Sequence, residues 1–220
     1  MTVGILTAPF GGEPLENVIA FASEAGFDAL EISAGPGSKH VDTAKLTKAE
    51  AKAIRSAVDA AGLEISSLAF YGKLCKDGEK VGLKFALENW FATNIMNLDQ
   101  WALMFTEVPN DNFGLNFDPS HLYWQDIDHL AAVEEFAKRI FHTHAKDTEV
   151  RRHVRARIGN QTMGWWRYVI PGFGDIDWGV YIARLRRVGF NGVLSIEHED
   201  SALGREEGFI KGLAYLRQFA

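Results

Sequence analysis

Residues 113–121 read Phe113-Gly114-Leu115-Asn116-Phe117-Asp118-Pro119-Ser120-His121, a short apolar run that ends on an acid. The run has the length and composition of a strand, and Asp118 stands where a strand gives way to a loop. Neighbouring units repeat the arrangement: Glu88 follows the run 83–87, His144 closes 140–143 and Glu197 follows 192–196. Amphipathic segments separate these runs. Asn97 caps a helix over Leu98–Glu107, Asp128 caps one through Lys138, Asp177 caps one that stops at Gly189, and 205–219 is the last.

The first half has the same rhythm. Val3-Gly4-Ile5-Leu6 is a strand, Pro14 opens a helix that Gly26 closes, and Ala29-Leu30-Glu31-Ile32-Ser33 is the second strand. Thr47-Lys48-Ala49-Glu50 is a capping box for a helix that ends at Gly62, and 63–69 is the third strand. Residues 146–176 read as a long irregular stretch. Seven strands and six helices in alternation predict an α/β protein with parallel strands, in a single domain over 1–220. A β/α barrel suits it better than a Rossmann sheet, because no glycine fingerprint follows the first strand and polar residues recur at the C-terminal strand ends.

The composition sets outer limits. Of 220 residues, 47% are hydrophobic and 24% charged, which excludes wholesale disorder. Twenty-three basic against 29 acidic side chains give a net charge of −6, arguing against general binding to nucleic acid or to an anionic membrane. Cys75 is the single cysteine, so no intramolecular disulfide can form and a cytoplasmic setting is expected. No signal-peptide pattern opens the chain, and no apolar run approaches the ~20 residues of a membrane span.

In a β/α barrel the C-terminal strand ends converge on one mouth, so Glu88, Asp118, His144 and Glu197 would meet there. Taken singly, each has a plainer role as a helix cap or a loop residue. Four in four consecutive units point to a metal site, since three carboxylates brought together repel unless a cation joins them. Carboxylate and imidazole donors suit Mn²⁺, Co²⁺, Mg²⁺ or Zn²⁺ alike.

These residues also carry a resemblance. Ala86-Leu87-Glu88-Asn89, the stretch from Asn116 to His121, Thr143-His144-Ala145-Lys146-Asp147, Pro171-Gly172-Phe173-Gly174-Asp175-Ile176-Asp177-Trp178 and Ser195-Ile196-Glu197-His198-Glu199-Asp200 resemble the xylose-isomerase-like TIM-barrel superfamily. More closely, they resemble its sugar phosphate isomerase/epimerase members. The resemblance implies a divalent-metal-dependent isomerase or epimerase of a small sugar or sugar phosphate, working through an enediolate. It implies Glu88, Asp118, His144 and Glu197 as metal ligands, with Glu88 and Glu197 also the proton-transfer pair. His121 would bind a substrate hydroxyl, or a second metal if one is present. Lys146 and Arg152 are candidates for a substrate phosphate or carboxylate. Trp90, Trp124, Trp165 and Trp166 are candidates for an apolar wall against the sugar ring. For both sets, solvated loop charges and ordinary packing are the plainer readings.

One junction departs from that family. Only about a dozen residues join the third strand to the Glu88 strand, where family members carry a helix–strand–helix. Lys73-Leu74-Cys75-Lys76 reads as the tail of the lost helix. The expected fold is therefore an incomplete or distorted TIM-type barrel of about seven strands, lacking one βα unit. Direct pairing of 63–69 with 83–87 would give a distorted seven-stranded barrel; without it, exchange of elements between protomers is favoured, and a homo-oligomer could cover the open edge. Three other functions compete: a dehydratase on the same scaffold, a phosphodiesterase of damaged DNA, and a truncated barrel that binds metal without turnover. The DNA enzyme is disfavoured by the acidic charge and by Ala69-Phe70-Tyr71, which supply no histidine ligands.

Overall fold

A computed structural model describes residues 1–70 and 82–220. The strand-like runs fold as the period-two and helical patterns demand: β1 (Thr2–Leu6), α1 (Leu15–Ala25), β2 (Ala29–Gly35), a two-residue β3 (Val41–Asp42), α2 (Lys48–Ala60) and β4 (Glu64–Phe70). After the undescribed stretch come β5 (Phe85–Glu88), α3 (Leu98–Glu107), β6 (Phe113–Phe117), the short α4 (Pro119–Tyr123), α5 (His129–Glu135) and β7 (Ile140–Ala145). β8 (Asp147–Val150), α6 (Arg152–Ile158), β9 (Trp166–Val169), α7 (Trp178–Arg187), β10 (Val193–Ile196) and α8 (Arg205–Leu216) complete the order.

Seven strands lie side by side in the order β4-β2-β1-β10-β7-β6-β5, every pairing parallel, and curl into a half-barrel. β3 extends the far end of β2. Among the described residues β4 and β5 do not pair, so the curl stays open between them. Both edges show apolar side chains to solvent: Leu68 and Phe70 on β4, Leu87 on β5. The reading of Lys73 to Lys76 as a helix remnant lies outside the described residues. No described helix is long and apolar enough to cross a membrane.

Sequence caps explain most helix starts. Thr47 and Glu50 form a reciprocal capping box, while Asn97, Asp128 and Asp177 each accept a backbone N–H in the first turn of α3, α5 and α7. Gly26 ends α1 in the left-handed region at φ 84°. The apolar core joins Ile5, Leu30, Leu115 and Ile196 of the sheet to Val18 of α1, Tyr181 and Leu185 of α7, and Phe209 of α8.

Residues 146–176 are not irregular. They hold an antiparallel hairpin, β8 against β9, with α6 inside its connection. Its base is gathered on Asp147, whose carboxylate accepts from the backbone N–H of Thr148, Gly172, Gly174 and Ile176 at 2.7–3.3 Å and from Trp178 Nε1 at 2.9 Å. A Cβ on Gly174 would run into that carboxylate. Two four-residue strands separated by a helix carry too little periodicity to be read from sequence alone. Two predicted helices end early: α5 stops at Glu135 before a 3₁₀ turn over Ala137–Arg139, and α8 stops at Leu216.

Candidate metal centre

Glu88, Asp118, His144 and Glu197 belong to β5, β6, β7 and β10 or to the residue just beyond. Those four strands are consecutive in the sheet. Parallel strands share one polarity, so all four residues rise at the same rim. One ligand atom from each lies within 4.8 Å of the others. His144 Nδ1 stands between Glu88 Oε1 at 3.3 Å and Glu197 Oε2 at 3.2 Å. Asp118 serves two ends: Oδ1 caps α4 by accepting from Ser120 N at 2.8 Å, while Oδ2 is buried without a hydrogen bond. Cap and candidate ligand are thus the same carboxylate. The nearest cation to Oδ2 is Lys146 Nζ, at 3.2 Å.

The charges are mutually stabilised. Burial opposes ionisation of Glu88, but His144 and His121 outweigh it and hold the carboxyl well below the usual range. Burial likewise opposes ionisation of Glu197, yet Lys146 and His144 bring it down to about 2. Burial disfavours charge on His144 as well; the carboxylates of Glu31, Glu197 and Glu88 prevail and raise it well above an ordinary histidine. Lys146 is 2% exposed, and Asp118, Glu197 and Glu199 override its desolvation and keep it charged. Its Nζ lies 2.7 Å from Glu197 Oε2 and 4.5 Å above the Tyr168 ring.

His121 belongs to the cluster too. Its Nε2 faces Glu88 at 3.3 Å and Asp118 at 3.4 Å, and its Nδ1 lies 2.6 Å from the Tyr168 hydroxyl. The tryptophans assemble beside it. Trp124 stacks on Trp166 at 4.4 Å between centroids, Phe91 meets both edge-on, and Trp165 packs against Trp124. Trp90 lies outermost, 47% exposed against Phe91. Arg152 is set apart: its side chain is 70% exposed, pairs with Asp175 at 3.2 Å, and lines a surface depression of about 290 Å³ with Tyr123, Asp126 and Arg155.

The sequence reading gave no role to several neighbours of the cluster. Asn89 ties the rim of β5 to β6, donating to Asp118 O at 2.9 Å and accepting from Asp118 N at 2.7 Å. Glu31 and Asn116 both reach His144 Nε2, at 3.1 and 2.9 Å. Glu31 did leave a signal: an acid in the middle of an otherwise apolar strand. Nothing local marks Asn89 or Tyr168, whose partners lie 29 and 47 residues away.

The donor set fits a divalent cation. Three carboxylates and an imidazole nitrogen face one point, one buried oxygen is left without a hydrogen bond, and the second imidazole nitrogen is held by a carboxylate behind it. The xylose isomerase-like TIM barrel profile matches residues 71–219. The inosose dehydratase of Glaesserella parasuis serovar 5 is 30% identical over 161 residues, 68% of this chain and 53% of that protein. The ketose 3-epimerase of Arthrobacter globiformis is 25% identical over 147 residues, 66% of this chain and 44% of that protein. The chain spans about half the length of the curated relatives it matches. Among solved structures, the IolI protein with a bound zinc atom superposes with a TM-score of 0.63 at 17% identity, covering 100% of this chain and 99% of that one, which speaks for the fold. Family profile, strand topology and rim-borne residues converge, and the chain belongs to the xylose isomerase-like TIM barrel family.

Proposed function

We propose that the protein is a divalent-metal-dependent isomerase or epimerase of a small sugar or sugar phosphate, acting by proton abstraction beside a carbonyl. The observation that carries this reading is the placement of two ionised carboxylates, Glu88 and Glu197, at 3.3 and 3.2 Å from one imidazole nitrogen. A bound divalent ion at Glu88, Asp118, His144 and Glu197 would polarise the substrate carbonyl and stabilise the negative charge of an enediolate. One of the two glutamates takes the proton from the carbon next to the carbonyl. For isomerisation the same glutamate, now carrying that proton, returns it to the neighbouring carbon; for epimerisation the other glutamate, having first taken a proton from solvent, delivers it to the opposite face. His121 and Lys146 hold substrate hydroxyls from the inner side, and the Trp124–Trp166 stack covers the C–H face of the ring.

Dehydration is the second reading, favoured by the 30% identity to an inosose dehydratase. There the same proton abstraction is followed by loss of hydroxide from the next carbon, with Lys146 or His121 supplying the proton that leaves as water. The test combines metal titration with incubation of a panel of ketoses, aldoses and keto-cyclitols in D₂O. Expected are one ion per chain and deuterium at a carbon beside the carbonyl, with Glu88→Gln and Glu197→Gln each slowing exchange by about 10²-fold or more. A product lighter by one water selects the dehydratase. Metal uptake without exchange across the panel leaves a barrel that binds metal but does not turn over, and absence of both overturns the proposal.

A further inference from the structure

Below the four-residue cluster, with its three carboxylates, lies a further acid. Glu31, the third residue of β2, is 3% exposed, while its strand neighbours Leu30 and Ile32 join the apolar core. Its Oε2 lies 3.1 Å from His144 Nε2 and 3.9 Å from His142 Nε2. β2 and β7 are not neighbours; β1 and β10 stand between them, so the contact crosses the interior of the curl. A carboxylate buried in an apolar strand costs stability unless it is paired and hydrogen-bonded.

The backbone is shaped for this contact. The β2–β4 register shifts between Leu30 and Glu31, and the β6–β7 register shifts between Leu115 and Asn116. Each irregularity immediately precedes one of the two residues that reach His144 Nε2, and such bulges re-aim side chains. An imidazole that offers Nδ1 to a cation must keep its proton on Nε2. That proton has an acceptor in Glu31 Oε2. It also settles the Asn116 amide: turned over, the amide presents its otherwise unpartnered buried oxygen to the same N–H.

We propose that Glu31 is the positioning residue of the metal centre, fixing His144 as the Nε2–H tautomer with Nδ1 turned to the ion and strengthening it as a ligand. This inference rests on the metal reading above. The test titrates chelator-stripped wild type, Glu31→Gln and Ser67→Ala with Mn²⁺ and Co²⁺. Ser67 pairs with Glu31 in register and its hydroxyl has no hydrogen-bond partner among the described residues, so it controls for disturbance of the same layer. Glu31→Gln should bind about 10–100-fold more weakly and shift the visible Co²⁺ spectrum, while Ser67→Ala matches wild type. Equal affinity and an unchanged spectrum in Glu31→Gln would overturn the inference. Failure of wild type to bind either ion would overturn the metal reading itself. Should Glu31→Gln fail to fold, the imidazole ¹⁵N shifts of His144 in Zn²⁺-loaded wild type decide: a protonated Nε2 supports the role and a protonated Nδ1 contradicts it.

Discussion

His129 shows what burial does to a titratable side chain away from the site. Packed between Tyr123 and Tyr181, it has its pKa pushed down to about 4 by desolvation, which the Asp128 charge only partly offsets. The fold therefore holds the ring neutral, while the unfolded chain protonates near ~6.5. Stability from this residue is complete above the unfolded value and drains away as pH falls toward about 4, by on the order of 3 kcal/mol. Denaturant midpoints measured between pH 7 and 4 should fall less steeply for His129→Gln than for wild type. At this scale the four rim residues were legible because each follows its own apolar run. Glu31 left only the signal of an acid inside an apolar strand and Asn89 left none, because their importance lies in contacts with partners 113 and 29 residues away.

Among the elements, the hairpin and loop over 146–176 depend most on a single side chain. Asp147 takes five donors, and burial raises its pKa against their pull. Asp147→Ala would strand four backbone N–H groups and the Trp178 indole, each costing about 1–3 kcal/mol when buried and unpaired. A loss of at least about 3 kcal/mol is expected in urea unfolding, with earlier proteolysis within 150–176; an unchanged midpoint would deny the latch. Asp147 stands directly beside Lys146 in sequence, so the same turn sets the base of the hairpin and delivers the ammonium to Glu197 and Asp118. Capped helices were legible because Thr47, Asn97, Asp128 and Asp177 act within three residues of themselves. The hairpin was not, since its register is set by loop contacts rather than by a hydrophobic period.

Across the whole molecule, the open curl and the rim site are compatible because β10, β7, β6 and β5 form one unbroken block. The gap lies at the outer edge of that block, beside Glu88, and the short junction announced it in sequence. Which way the edges would turn was not legible, because strand pairing across the gap depends on backbone approach and not on side-chain type. Leu68, Phe70 and Leu87 stand exposed there, on two strands that do not pair with each other among the described residues, the chemistry of self-association. Leu68→Lys combined with Leu87→Lys should shift sedimentation toward the monomer; an identical distribution would place any association elsewhere. We propose that four residues from four strands together hold one divalent ion. Titration of the chelator-stripped protein with Mn²⁺, read by isothermal calorimetry for wild type and Asp118→Asn, tests it most directly. One ion per chain in wild type, with binding abolished or weakened by at least about tenfold in the variant, is the predicted result. No uptake by wild type, or equal uptake by both, would contradict it.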